Sequence, residues 1–263
     1  MIDNRKFIVI PRGRYLMGLS GEKVDRLWDA ESNPGVRKEF VYASCPVHAE
    51  EVEEVLVCAR LVTRAEFERF ASSSGYRTEA ERDGWGWVSV DGRWMKKDGV
   101  CWRRPFGGPA DGRYASHPGV PVMQVSWNDA SAYCRWLGGE LGARARLPRE
   151  IEWEIFARVA GVPGFGSPAG DAARIPDSEV FCDAVIAAAD REITRPGLLW
   201  EWTEDWYERY PGGDGHRDFG TVYRVLRGGS ALSAPVQRTL EFRLRKCPTA
   251  RSPYYGFRAV VTR

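Results

Sequence analysis

The chain has no excess of charge of either sign, no cysteine pair at metal-ligand or redox spacing, few histidines and no long apolar run. Its 38 Lys and Arg against 36 Asp and Glu leave no global field to draw it to nucleic acid or an anionic membrane, so neither is expected as a partner. No stretch approaches the roughly 18 apolar residues of a membrane span. The apolar run FIVI, broken at Pro11 and followed by two arginines, is too short for a signal-peptide core and reads as a strand in a cytoplasmic protein. Cys45, Cys58, Cys101, Cys134, Cys182 and Cys247 contain no CxxC pair and form no zinc-type cluster with histidine. Without a secretion signal they read as thiols, most of them buried. His48, His117 and His216 are far apart in different settings, and no metal site is expected from them.

What the sequence has is aromatic rings and turn formers: 11 Trp, 10 Tyr and 11 Phe, with 28 Gly and 16 Pro. That composition predicts an α+β protein with few helices, short twisted strands and much irregular backbone. Three helices stand out. Thr63 and Glu66 form a capping box before Phe67 and Phe70, and Gly75 ends that helix. Ser126 caps a second, with Asp129 at its positive end, apolar residues at Ala130, Tyr133, Cys134 and Leu137, and a stop at Gly138 and Gly139. A third starts at Pro148 and turns Ile151 and Ile155 inward. Between the first two lies a long connection in which Trp85, Trp87, Trp94 and Trp102 alternate with glycines, as in short strands and loops packed over a core. Residues 161–196 carry little pattern. No internal repeat or linker is present, so residues 1–263 read as a single domain.

Four segments in order, PVMQVSWNDASAYCRWLGGE, RLPREIEWEIFAR, GLLWEWTEDWY and RVLRGGS closing with YYGFRAV, resemble the formylglycine-generating enzyme, or sulfatase-modifying factor, family. IPRGRYLMG, the helix around Phe67 and SGYRTEAERDGWGWV fit its amino-terminal part, and VCWRRPFGG resembles its substrate-groove loop, so the resemblance covers nearly the whole chain. It implies a variant of the C-type-lectin-like fold, with small twisted antiparallel sheets and irregular loops.

Two departures from the family pattern bear on chemistry. Members that convert a sulfatase cysteine to formylglycine place two cysteines after the RGGS turn, and this chain has Ser233 and Arg238 there. A hydroxyl and a guanidinium cannot act as the soft thiolates that hold copper(I), so the family's copper site is expected to be absent. The family also writes an asparagine where this chain has Leu198, ahead of the retained Glu201, and calcium requires oxygen ligands. Calcium binding is therefore expected to be weak or absent.

What remains near the Gly228–Gly229 bend sets the expected site. Glu241, Cys247 and Ser233 are the catalytic candidates, and Trp102, Arg103, Trp202, Arg238 and Arg243 the substrate-binding ones. Glu241 reads either as a base or as one half of an ordinary ion pair, and Cys247 either as a thiol activated by Arg245 and Lys246 or as an inert one. Arg243, Arg251 and Arg258 also read as braces paired with buried carboxylates, and Trp202 as core. Arginine beside tryptophan favours a planar or anionic ligand, so the expected partner is an anionic or carboxylate-bearing small molecule or peptide. The expected function is a divergent oxidoreductase acting on such a ligand. The alternatives are a non-catalytic binding module on the scaffold that retroelement-diversified receptors use, and an inactive regulatory paralogue.

Overall fold

In the computed structural model, residues 6–29, 31, 36–90, 93–160, 178–189, 191–231 and 233–262 are described. In chain order the elements are β1 (Phe7–Ile10), β2 (Gly13–Met17), α1 (Gly21–Asp29), α2 (Lys38–Tyr42), β3 (His48–Val52), β4 (Val55–Cys58), α3 (Arg64–Ser74), α4 (Glu79–Asp83), β5 (Trp85–Val90) and β6 (Arg93–Asp98). There follow α5 (Ala110–Ser116), α6 (Trp127–Leu141), β7 (Arg144–Arg146), α7 (Glu150–Val159), α8 (Ser178–Ala189), β8 (Trp200–Trp206), β9 (Arg224–Arg227), β10 (Leu244–Lys246), β11 (Tyr255–Gly256) and β12 (Val260–Thr262). A 3-10 turn spans Pro235–Arg238.

Four small sheets organise these pieces. The first runs β1-β4-β12-β7, so the strands nearest the two chain ends flank β4 and close the domain on itself. The second runs β10-β9-β8-β11 and carries the WEW and RVLR segments side by side, Glu201 opposite Arg227. β2 pairs β3 and β5 pairs β6, each antiparallel, while β11 joins β8 in parallel. Among the described residues no helix is long and apolar enough to cross a membrane.

The capping arguments at Thr63 and Ser126 hold: each side chain accepts from the backbone N–H three residues on, and the acid there returns the bond. Gly75 ends α3 in the left-handed conformation. α3 and α6 then meet through rings, Phe67 stacked 5.9 Å from Tyr133 and Phe70 edge-on to it at 5.6 Å.

Two expectations are corrected. α6 passes through Gly138 and Gly139 and ends at Gly142, because Gly138 serves close packing: a Cβ there would lie 2.7 Å from the Ala143 carbonyl oxygen. α7 begins at Glu150, not Pro148, with the Arg149 N–H donating to Glu152 Oε2 at 2.7 Å, while the Pro148 carbonyl accepts from Glu204 N at 2.8 Å and joins α7 to β8. Eight helices, most of them short, occur among the described residues, and one of them, α8, falls in the segment of little pattern. The rest of that segment in 161–177 and at 190 lies outside the described residues.

Candidate functional site

The bend after β9 is built on a buried charge network. Gly228 and Gly229 have φ of +99° and +72°, and a Cβ on Gly228 would meet the Trp153 ring at 2.8 Å. Before them Arg227, fully buried, donates to Glu150 Oε2 at 2.9 Å, to Glu154 Oε2 at 2.6 Å and to the Leu240 carbonyl at 2.8 Å. Arg243 grips the same Glu150 through two bonds of 2.8 Å and donates to the carbonyls of Ala43 and Glu208. Burial pushes the Glu150 carboxyl up, but Arg243 and Arg227 outweigh it and hold the group below the ordinary carboxylate range. The bend thus fastens α7 to the second sheet and to the carboxy-terminal segment.

The residues after the bend are taken up by local structure. Ser233 is buried, and its hydroxyl accepts from Ser230 N at 2.8 Å, closing the turn. Arg238 lies against Gly229, whose Cβ would meet its Cγ at 3.1 Å, and donates to the Ala231 carbonyl at 3.1 Å. Glu241 is buried and accepts from Lys23 of α1 at 2.7 Å; Val236 N donates to Glu31 at 3.1 Å. α1 therefore lies over this segment, with Val24 in one core cluster with Ala234, Val236 and Phe242. A turn-closing hydroxyl and a guanidinium do not fit copper(I). Nor do the residues before WEW fit calcium: Glu201 receives Arg258 on both oxygens, at 2.5 and 2.9 Å, and Trp153 Nε1 at 2.9 Å, while Leu198 brings no side-chain oxygen.

The single pocket expected from Glu241, Cys247, Trp102, Arg103 and Trp202 is not what the fold builds. Trp102 is fully buried, edge-on to Phe67 at 5.3 Å, because the bridge from Cys101 to Arg104 tucks it under the loop. Arg103 covers it at 3.9 Å and pairs with Glu81 at 2.6 Å. Trp202 is fully buried and donates to the Val125 carbonyl at 3.1 Å. Arg243 is a brace, buried and held on both oxygens of Glu150.

Arg243 borders a separate, smaller cavity beside Glu150 and Tyr210, whereas Cys247 lines an open groove. Its thiol is exposed on a concavity of about 500 Å³ formed by α4, the start of β5 and residues 247–251. Trp85 and Trp87 face it from one side of β5, their rings edge to face at 5.7 Å, because Gly86 between them packs inward against Val100. Arg251 is 4% exposed, stacks on Trp85 at 4.0 Å, pairs with Asp83 at 2.7 Å and keeps a buried Nε without a partner. Lys96, across the hairpin, stands 4.0 Å over the Trp85 ring, and its ammonium has no ion pair among the described residues. Glu79 and Arg82 complete the rim, Glu79 held by Asn128 at 2.6 Å. Sequence reading took Trp85 and Trp87 only as signs of order; their spacing of two on a strand, around a glycine, is the signal that puts both on one face.

The sulfatase-modifying factor enzyme 1-like domain matches residues 2–184 and 196–263. A formylglycine-generating enzyme of Streptomyces coelicolor is 33% identical over 71% of this chain and 70% of its own length. The inactive C-alpha-formylglycine-generating enzyme 2 of Mus musculus is 28% identical over 95% and 83%. The chain spans 58% of the Bos taurus formylglycine-generating enzyme that it also matches. Among solved structures, PvdO from Pseudomonas aeruginosa superposes with a TM-score of 0.62 at 19% identity, over 98% of this chain and 94% of that one, a likeness of fold. With a family match across both halves and the RGGS turn and WEW strand in its second sheet, this chain belongs to the sulfatase-modifying factor, or formylglycine-generating enzyme, family, as a divergent member without the catalytic cysteine pair.

Proposed function

We propose that this protein binds a carboxylate-bearing peptide or small molecule in the Trp85–Trp87 groove and does not generate formylglycine. The observation that carries this reading is the chemistry at the groove: Trp85 and Trp87 line it, Lys96 over the Trp85 ring has no ion pair among the described residues, and Arg251, paired with Asp83, keeps an unpartnered Nε. The rings take the flat or apolar part of a ligand, and Lys96 takes its carboxylate. The absence of thiols at positions 233 and 238 supports the second half of the reading. Titration calorimetry with tripeptides bearing an aromatic residue and a free carboxyl end, set against the same peptides as amides, tests it. Binding is expected to favour the acids at least tenfold, and Trp85→Ala and Lys96→Ala are each expected to weaken it about tenfold. Equal affinity for acids and amides, or an unaffected Trp85→Ala protein, would reject it.

A second reading, a divergent oxidoreductase on the same class of ligand, rests on the exposed Cys247 thiol at the groove rim. It predicts ligand-dependent oxygen consumption that Cys247→Ser abolishes.

A further inference from the structure

A second concavity, of about 950 Å³, lies away from that groove, between the carboxy-terminal end of α6, β7 and the start of β9. Its wall carries Arg135, Arg144, Arg146 and Arg224, against one acid, Glu204. Arg146 is neutralised by Glu152 at 2.6 Å and Glu204 at 3.4 Å. The others are not neutralised in that way. Arg135 bonds only the Ser131 hydroxyl, at 2.9 Å, and the Arg144 guanidinium has no hydrogen bond or ion pair among the described residues.

Arg224 is held by rings and a carbonyl, with no carboxylate at ion-pair distance among the described residues. Its guanidinium lies between the rings of Trp127, at 3.8 Å, and Trp206, at 3.4 Å. It donates to the Glu204 carbonyl at 2.5 Å, and its Nε is buried with no partner. Asp205 is the other acid that acts on it, and it lies beyond ion-pair distance. Gly139 and Gly142 lend no side chain to the wall, and a Cβ on either would meet nothing within 4 Å, so the space stays open.

We infer that this concavity binds a phosphate-bearing small molecule. Guanidinium groups present a planar fork that matches phosphate oxygens two at a time, and an arginine already held between two rings loses little freedom on binding. Three cations without ion-pair partners, in a space of this size, suit several phosphate oxygens on one ligand better than a single carboxylate. The inference does not rest on the carboxylate groove, and the two sites are probed with different ligands.

The test is titration calorimetry of the full chain with inorganic pyrophosphate at physiological salt. Saturable one-to-one binding is expected, weakened at least fivefold by Arg144→Ala and more than twentyfold when Arg135→Ala is added. Both side chains are exposed and brace no other charge, so these variants are expected to keep the circular dichroism and melting point of the parent protein. No saturable binding at millimolar pyrophosphate, or equal binding by the double variant, would overturn the inference. So would preferential binding to phosphatidylserine vesicles over pyrophosphate, since that is the behaviour of a membrane-docking surface.

Discussion

Arg243 carries a buried charge spent on internal pairing. It holds both oxygens of Glu150 and lies 4.0 Å over the Tyr210 ring, so its role is to join α7 to the carboxy-terminal segment. Removing one partner of a buried pair leaves the other uncompensated, and Arg243→Ala is expected to cost about 3–5 kcal/mol in urea unfolding. A loss below about 1 kcal/mol would show that the network is not the brace described. Asp205 gives the network a pH signature. Burial, together with the charge of Glu150, pushes its carboxyl up to about 7, although it accepts a bond from Glu150 N at 2.6 Å. The folded-state value lies above the unfolded one, so folding takes up a proton between about pH 4 and pH 7, and stability falls as pH rises through that window. Asp205→Asn keeps an acceptor for Glu150 N without the charge. It is expected to match the parent at pH 4 and to be about 1–2 kcal/mol more stable at pH 8, read from urea midpoints. An unchanged pH slope would contradict the assignment.

Among elements, the bend joining β9 to the 3-10 turn has the least tolerance. Gly228→Ala would place a methyl group 2.8 Å from the Trp153 ring at a φ of +99°, and it is expected to destabilise by about 2–4 kcal/mol, measured by thermal and urea unfolding. Full stability would mean that the bend is not held against α7. That two glycines turned sharply here was legible in the sequence, because positive φ is a local demand. The capping boxes at Thr63 and Ser126 were legible for the same reason. The end of α6 was not, since Gly138 answers to a neighbour across the turn rather than to helix termination. The groove was legible only in part: Cys247 was singled out, but Arg251 reaches the Trp85 carbonyl across 166 residues, and such a pairing leaves no local trace. Trp102, beside Arg103, and Trp202, placed there by the family resemblance, were expected on a ligand face; the burial of both rings comes from the bridge at Cys101 and from the second sheet.

At the scale of the whole molecule, buried arginines occupy the carboxylate oxygens of Glu150, Glu154 and Glu201 that a divalent ion would need. A ligand that binds only the folded state raises stability by RT ln(1 + [L]/Kd), so a tight calcium site would make the melting point depend on calcium. With Glu201 committed to Arg258 and Trp153, EGTA is expected to leave the melting midpoint within about 1 °C of that in millimolar calcium. A drop of several degrees would reveal a calcium site elsewhere in the chain. The segment after RGGS has become structure, with Ser233 closing a turn, Arg238 packed on Gly229 and α1 packed on the residues that follow through Val24 and Lys23. Incubating the protein with copper(I), dioxygen and a peptide carrying the cysteine of a CxPxR motif, and reading the product by mass spectrometry, tests it most directly. The cysteine is expected to survive as it does without protein, whereas formylglycine above that control would contradict the account.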